Sequence, residues 1–150
     1  MDKKDRYLKV LHSAENILKD YKIDEIGKMS FISSILMNEF QEWIFCGFYR
    51  SVDKELLEIG PYQGNIIPCG HIAFNRGVCG ASARERKTII VNDVSTFPGY
   101  ISCDNETISE IVIPVIKNNE LLAVLDIDGD TKSQFDSTDQ SYLEKIVLLI

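Results

Sequence analysis

The residues of this chain best suited to chemistry are its four cysteines, Cys46, Cys69, Cys79 and Cys103. Cys69 follows Pro68 in a region rich in Gly, Asn and Pro, and Cys103 lies in a second irregular region, so both are expected in loops. Two loop cysteines of one domain would meet as a nucleophile and a resolving thiol, which is the arrangement that redox enzymes use. The competing interpretation of Cys103 is an incidental surface thiol.

The other two cysteines have simpler interpretations. Cys79 stands at the start of a short predicted helix in GVCGAS, where the helix N-terminus would stabilise a thiolate. We favour the alternative, a small buried residue where this helix packs on the sheet. Cys46 alternates with its neighbours on a predicted strand and is interpreted as core. Zinc is the competing role for the cysteines, but Cys69 and His71 are not part of any C-x-x-C pair, and we predict no metal site.

Acidic residues surround Cys103, whereas a reactive cysteine normally has positive charge nearby to stabilise its thiolate. Asp104 follows it directly, and Glu106 and Glu110 are close behind. Carboxylates raise the pKa of a thiol, so these side chains cannot serve to activate it. We expect Asp104 and Glu106 to be exposed to solvent, and we assign a possible chemical role to Glu110.

Three carboxylates are predicted to converge at one end of a β-hairpin. Asp126 and Asp128 alternate along LDIDGD and therefore share one face of a strand. The Asn118-Asn119 pair predicts a tight turn. Pairing residue 117 with 120 and residue 111 with 126 would bring Glu110 to the same end of the hairpin. The alternative interpretation is a solvated strand end.

Crowded carboxyl groups beside a thiol suit one kind of reaction. Crowding would keep one carboxyl protonated, so that it could donate a proton to an oxygen being expelled, while the others hold a cationic group. Sulfoxide reduction requires a thiol that attacks sulfur while an acid protonates the leaving oxygen. Free methionine sulfoxide carries both an ammonium group and an S=O group, so both tasks would be used.

The elements that must position these residues follow from periodicity. Helical patterns over residues 3–20 and about 25–40, the second with Asp24 as its N-cap, precede a hairpin that starts near Trp43. A short strand at HIAF, a short helix in RGVCGASARER and the strand KTIIVND come next, before a loop over residues 95–108. The acidic hairpin and a closing helix capped by Asp136 or Ser137 end the chain. The order α-α-β-β-β-α-β-β-β-α predicts one α+β domain over 1–150. We expect one antiparallel sheet of about six strands, with the helices, including the N- and C-terminal ones, packed on one of its faces.

Charge and hydropathy exclude several classes of partner. The chain of 150 residues has 16 basic and 23 acidic residues and a net charge of −7, which argues against nucleic acid or an anionic membrane as a partner. Its N-terminus is charged and amphipathic and has no secretory pattern, so we expect a cytoplasmic protein whose cysteines are not a permanent disulfide framework. Apolar stripes on the terminal helices predict a homodimer.

Six short motifs carry a family resemblance. GFYR, GPYQG, RGVCG, YISCD, SEIVIP and LDID, in this order, resemble the free methionine-(R)-sulfoxide reductases, a single-domain branch of the GAF fold. The match runs from about Phe45 to Leu143. The resemblance implies a GAF-like fold and an enzyme that reduces free methionine sulfoxide with thioredoxin as external reductant and no bound cofactor.

The resemblance also implies roles for individual residues. Cys103 would be the nucleophile and Cys69 the resolving cysteine, which closes a disulfide on a sulfenic acid, with Cys79 as an auxiliary thiol. Glu110, Asp126 and Asp128 match the substrate-binding acids of the family. Phe45 occupies a position where the family usually has tryptophan, and it keeps an aromatic face for the S-methyl group without the indole N–H.

Two other functions compete with the reductase. The chain could be a non-catalytic GAF module that binds a small ligand, or a thiol redox sensor without a small substrate. The set of cysteines favours the reductase over both.

Overall fold

Helices and strands follow one another in the predicted order, in a computed structural model that describes residues 1–150. The helices are α1 (Lys3–Asp20), α2 (Glu25–Glu39), α3 (Gly77–Glu85) and α4 (Ser137–Val147). The strands are β1 (Phe45–Asp53), β2 (Leu56–Gly64), β3 (His71–Ala73), β4 (Ile89–Val91), β5 (Ser109–Lys117) and β6 (Glu120–Gly129). A single 3₁₀ turn covers Val94–Thr96 at the start of the predicted loop, so the irregular segment is residues 97–108.

The six strands form one antiparallel sheet in the order β3-β2-β1-β6-β5-β4. The two long hairpins, β1–β2 and β5–β6, meet at the centre through the β1–β6 pairing. Helices and an antiparallel sheet in one layered unit confirm the predicted α+β class.

Side-chain caps fix where the helices begin. Asp24 accepts a hydrogen bond from the backbone N–H of Gly27, which confirms it as the N-cap of α2. Asp136 caps α4 in a reciprocal capping box with Asp139, so the cap is Asp136 and not Ser137.

One face of the sheet is covered by α1, α2 and α4, as predicted for the terminal helices. Their apolar residues share a core with the side chains of β1, β5 and β6 that point to this face, including Cys46, Phe48 and Ile111. Trp43 belongs to this core and stacks on Phe40 with ring centroids 4.4 Å apart. Cys46 is fully buried, which confirms its interpretation as a core residue.

The other face carries α3, and here the prediction that all helices lie on one face is wrong. Val78, Cys79 and Ala83 of α3 pack with Phe45, and further residues of this second core come from alternate positions of the strands. A central strand buried on both faces needs a cover on each side. In this chain, α3 and the loops that flank it provide the cover on the second face.

The register of the acidic hairpin differs from the prediction by one residue. Both residues of the Asn118-Asn119 turn have positive φ, and Lys117 pairs with Glu120 as expected. A bulge between Val115 and Ile116 then shifts the pairing, so that residue 111 lies opposite 127 and not 126. Because of this bulge, Glu110 lies directly opposite Asp128.

None of the helices combines the length and the apolarity needed to cross a bilayer.

Candidate active site

The three predicted carboxylates come together on the face of the sheet that carries α3. Glu110 on β5 pairs with Asp128 on β6, which in turn pairs with Phe45 on β1. Asp126 lies two residues back on β6, opposite Val112 and beside β1. Side chains two residues apart on a strand point to the same face, so all three carboxyl groups meet Phe45 on one side of the sheet. The bulge aligns them in this way.

A glycine on β1 makes room for the aromatic ring beside these acids. Gly47 lies opposite Asp126 on one side and Tyr62 on the other. A Cβ at this position would come within 2.8 Å of Cζ of Phe45 and would overlap Cβ of Tyr62. With glycine there, the rings of Phe45 and Tyr62 stack with centroids 5.6 Å apart. Phe45 therefore lies over the sheet, and Trp43 does not take its place because it is in the core of the opposite face.

Cys69 and Cys103 are joined by a disulfide that bridges the two irregular segments of the chain. Their Cα atoms are 5.3 Å apart, within the usual range for a disulfide. Cys69 is half-buried and Cys103 is exposed. The prediction that these two loop cysteines meet is therefore confirmed by their positions.

Asp104 is not the solvent-exposed side chain that we predicted, whereas Glu106 is exposed as expected. The Asp104 carboxylate accepts hydrogen bonds from the backbone N–H groups of Glu106 and Thr107 at 2.7 and 2.8 Å. The hydroxyl of Thr107 donates to the same carboxylate, at 3.1 and 3.0 Å from its two oxygens. Asp104 therefore fixes the turn directly after Cys103, which accounts for an acid beside this thiol.

Replacing Asp104 with alanine should slow closure of the Cys69–Cys103 disulfide about tenfold, because misplacing a reacting group by about 1 Å costs up to a hundredfold in rate. The matched control is Asp104→Asn, which also removes the charge but keeps an acceptor for the N–H groups of Glu106 and Thr107. The rate is measured on the reduced protein after addition of peroxide, by mass spectrometry of the quenched protein. Closure of the alanine variant at the asparagine variant's rate would contradict a positioning role.

Burial raises the pKa of all three carboxyl groups. Glu110, Asp126 and Asp128 are 5%, 5% and 7% exposed. Loss of hydration raises the pKa of Asp126 to about 6, against hydrogen bonds from Glu110 and Cys79 that lower it. The pKa values of Glu110 and Asp128 lie well above their ordinary values, first through burial and then through repulsion by Asp126. At neutral pH this cluster therefore holds at least one proton that it can donate.

Cys79 is buried between α3 and the acids, as we favoured, and its thiol donates to Oε1 of Glu110 at 3.9 Å. Burial, followed by repulsion from Asp126 and Glu110, raises the pKa of this thiol well above its ordinary value. The burial of Cys79 therefore supports the buried thiol that we favoured over a thiolate stabilised by the helix N-terminus.

All seven candidate residues line one pocket between the sheet, α3 and the two loops. The disulfide and Asp104 stand among its walls together with the three carboxyl groups and Phe45, and apolar side chains supply most of the remainder. One oxygen of Asp126, Oδ1, is buried here without a hydrogen-bond partner. A buried acceptor without a partner is costly, and a bound donor would satisfy it.

A metal is a weaker interpretation of the same acids. Ligand atoms of Cys79, Glu110 and Asp126 lie within 4.8 Å of one another. The grouping combines one soft thiol with two hard carboxylates and includes no histidine. It also lacks the paired ligands at short spacing that structural zinc prefers.

Two tyrosines of the pocket were missed in the sequence. Tyr49 and Tyr100 both line it, and burial, with the nearby carboxylates, raises the pKa of each hydroxyl. Tyr49 follows Phe45 and Gly47 at alternate positions of β1, so the period of the strand could have placed it on this face. Tyr100 comes from the irregular loop, where no pattern of the sequence indicates direction.

Comparisons with known proteins agree with this geometry. The GAF domain family matches residues 29–150. GAF domain-containing protein A of Dictyostelium discoideum is 35% identical over 99% of this chain and 92% of its own length. The free methionine-R-sulfoxide reductase of Saccharomyces cerevisiae is 38% identical over 89% of this chain and 77% of its own.

A solved structure is similar over nearly the whole chain. The free methionine-R-sulfoxide reductase of Neisseria meningitidis, crystallised in complex with its substrate, is 34% identical and superposes with a TM-score of 0.92. The similarity covers 99% of this chain and 88% of that one. With this fold, these identities and this arrangement of cysteines and acids, the chain belongs to the free methionine-R-sulfoxide reductase family of GAF domains.

Proposed function

We propose that this protein reduces free L-methionine-(R)-sulfoxide to methionine, with Cys103 as the nucleophile. The observation that carries the proposal is the position of the Cys69–Cys103 disulfide on a pocket whose walls also hold three buried carboxyl groups. This disulfide corresponds to the oxidised protein at the end of one reduction. The related yeast and Neisseria proteins, named free methionine-R-sulfoxide reductases, support the substrate and the R epimer.

The pocket has groups for each part of a free amino acid sulfoxide. The ammonium group matches the carboxylates, and the unpartnered Oδ1 of Asp126 is an acceptor available to it. The S-methyl group matches the aromatic and apolar wall around Phe45. A peptide-bound methionine sulfoxide lacks the ammonium group, so the acids favour the free amino acid.

The proton for the departing oxygen comes from the same acids. Their raised pKa values keep a carboxyl group protonated at neutral pH, in the pocket that Cys103 also lines. A protonated carboxyl donates a hydrogen bond to the sulfoxide oxygen, which becomes more basic as the sulfur is attacked. The acids therefore bind the substrate and supply the proton, and they do not lower the pKa of the thiol.

The reaction has two chemical steps inside the protein. The Cys103 thiolate attacks the sulfoxide sulfur while the oxygen takes a proton, and methionine leaves as Cys103 becomes a sulfenic acid. The Cys69 thiol then attacks the sulfenic sulfur, a disulfide forms, and water leaves. Two thiols are oxidised and one sulfoxide is reduced, so the reaction balances without a bound cofactor.

The enzyme also needs a reductant that returns it to the dithiol state after each turnover. A thioredoxin returns the disulfide to two thiols, and Cys79 takes part as an auxiliary thiol in exchange. A cytoplasmic location and a homodimer stay predictions.

A coupled assay with NADPH, thioredoxin reductase and thioredoxin tests the function. We expect turnover with the R epimer of free methionine sulfoxide. Turnover should fall at least about a hundredfold with an N-acetylated substrate, since a site built for a polar group rejects analogues that lack it. The preference for the R epimer over the S epimer is expected from the related reductases, which are named for the R form. No turnover with either epimer under reducing conditions would sink the proposal and leave a GAF module that binds a ligand or senses redox state.

A further inference from the structure

The disulfide joins two segments without charged side chains, which we call the disulfide rim and define as residues 64–70 and 97–103. Neither segment contains Asp, Glu, Lys, Arg or His, although 26% of the chain is charged and its net charge is −7. Apart from Gly64, the last residue of β2, both segments are irregular, and the Cys69–Cys103 bond joins them. The two uncharged segments therefore flank the bond that must be reduced in each cycle, and Asp104 directly follows the second of them.

One large apolar side chain of the disulfide rim points into solvent. Ile66 is buried in the core under α3, whereas the next residue, Ile67, is 81% exposed. Ile67 does not line the pocket, so the substrate does not account for it. Single exposed apolar residues are common on protein surfaces, but this isoleucine lies two residues from Cys69 in a segment without charged side chains.

The backbone beside the disulfide is open to a close approach. A Cβ added at Gly70, directly after Cys69, would meet no atom within 4 Å, and the same holds for Gly99 on the other segment. The loop is held from beneath, because the N–H of Gly77 at the start of α3 donates to the carbonyl of Gly99 at 3.3 Å. At these two points, therefore, no side chain projects from the surface toward a partner.

We infer that the disulfide rim is the docking surface for the protein dithiol that reduces this enzyme, with Ile67 as its apolar anchor. This inference rests on the proposed function for the need to reduce the disulfide. The cores of protein interfaces are depleted of charged residues, as this surface is. A partner that docks on these two segments contacts no charged side chain of the rim itself, and the nearest acid along the chain is Asp104 at its edge.

The reduction itself balances without any further reagent. A thiolate of the partner attacks one sulfur of the Cys69–Cys103 bond, that bond breaks, and a mixed disulfide forms between the two proteins. The second thiol of the partner attacks the mixed disulfide, so the partner leaves oxidised. Cys69 and Cys103 have then gained two electrons and two protons.

The test is to replace Ile67 with aspartate and to follow reduction of the oxidised protein by a thioredoxin and, separately, by dithiothreitol. We expect the rate with thioredoxin to fall about tenfold, as for an interface anchor, and the rate with dithiothreitol to stay at the wild-type value. The matched control is Leu148→Asp, since Leu148 is 76% exposed and lies after α4 on the opposite face. Ile67→Ser serves as a milder second variant.

The outcomes separate this inference from the proposed function, because reduction of the disulfide needs no sulfoxide. An unchanged rate with thioredoxin in both Ile67 variants would overturn the docking surface. An equal loss in Leu148→Asp, or a matching loss with dithiothreitol, would overturn it as well. A protein reduced by thioredoxin through Ile67 that has no sulfoxide turnover would support the docking surface and refute the reductase.

Discussion

Replacement of Cys103 with serine is expected to abolish methionine sulfoxide reduction, with a loss of at least about a thousandfold. A serine hydroxyl at this position has no nearby base other than carboxylates, and it cannot form a sulfenic acid or a disulfide. The measurement is release of methionine in a single turnover of the pre-reduced protein, which removes the reductant from the comparison. Activity near wild type would show that Cys103 is not the nucleophile.

The resolving cysteine should give a different result. Cys69→Ser leaves the nucleophile in place, so we expect one equivalent of methionine in the first turnover and almost none afterwards with thioredoxin. The sulfenic acid on Cys103 should then persist long enough to be labelled by a dione reagent and located by peptide mass. Cys46→Ala is the matched control, because Cys46 is a buried thiol in the core of the opposite face.

Variants of Cys79 test whether Cys69 is the resolving cysteine. Its thiol is buried and reduced in this structure while Cys69 and Cys103 are bonded to each other. If Cys79 resolves the sulfenic acid, Cys79→Ser should accumulate sulfenic acid and Cys69→Ser should not. A dominant Cys79–Cys103 bond in the oxidised wild type would likewise refute Cys69 as the resolving thiol.

The sequence could predict those parts of the site that depend on the alternation of side chains along a strand and on a tight turn. The alternation of β6 placed Asp126 and Asp128 on one face, and the Asn118-Asn119 turn placed Glu110 at the same end. The bulge at Val115 was not predictable from the alternation, because one extra residue changes the register without changing the hydrophobic pattern on either side.

The parts that could not be predicted depend on contacts between distant segments. The face on which α3 lies is decided by the second core, to which residues from most of the sheet contribute. The role of Asp104 depends on the fold of an irregular loop, where its carboxylate accepts hydrogen bonds from residues two and three positions later. Composition alone indicated an exposed acid there, since charged side chains are mostly exposed.

The acids of the site reduce the stability of the fold that holds them. Three carboxyl groups at most 7% exposed repel one another, and none has an ion pair with a lysine or arginine. Their folded-state pKa values are raised, so the folded protein binds more protons than the unfolded chain near neutral pH. Because the folded state binds more protons, the free energy of unfolding falls as pH rises. For Asp126 the fall in stability spans the pH window between the ordinary carboxyl pKa of 3.8 and the folded-state pKa of about 6.

Replacement of Asp126 with asparagine should therefore lower activity and raise stability. We expect kcat/KM to fall by about 10²–10³, because the substrate loses a charged acceptor and the cluster loses one of its three titratable groups. Unfolding free energy should rise by about 1–3 kcal/mol at pH 8, since a full shift of about two pKa units is worth about 3 kcal/mol and the asparagine stays buried. The gain should shrink toward zero as pH falls to about 4, where the unfolded carboxyl group is also protonated.

The pH dependence separates this account from a general effect of removing an acid. Urea unfolding at pH 5 and pH 8 measures it, with Glu120→Gln as the control, because Glu120 is exposed at the turn of the same hairpin. Asp126→Asn should flatten the dependence on pH, whereas Glu120→Gln should follow the wild type. An Asp126→Asn protein less stable than wild type at pH 8 would mean that the ionised carboxylate is well satisfied in the fold. That result would refute the claim that the three acids reduce the stability of the fold in exchange for substrate binding and proton transfer.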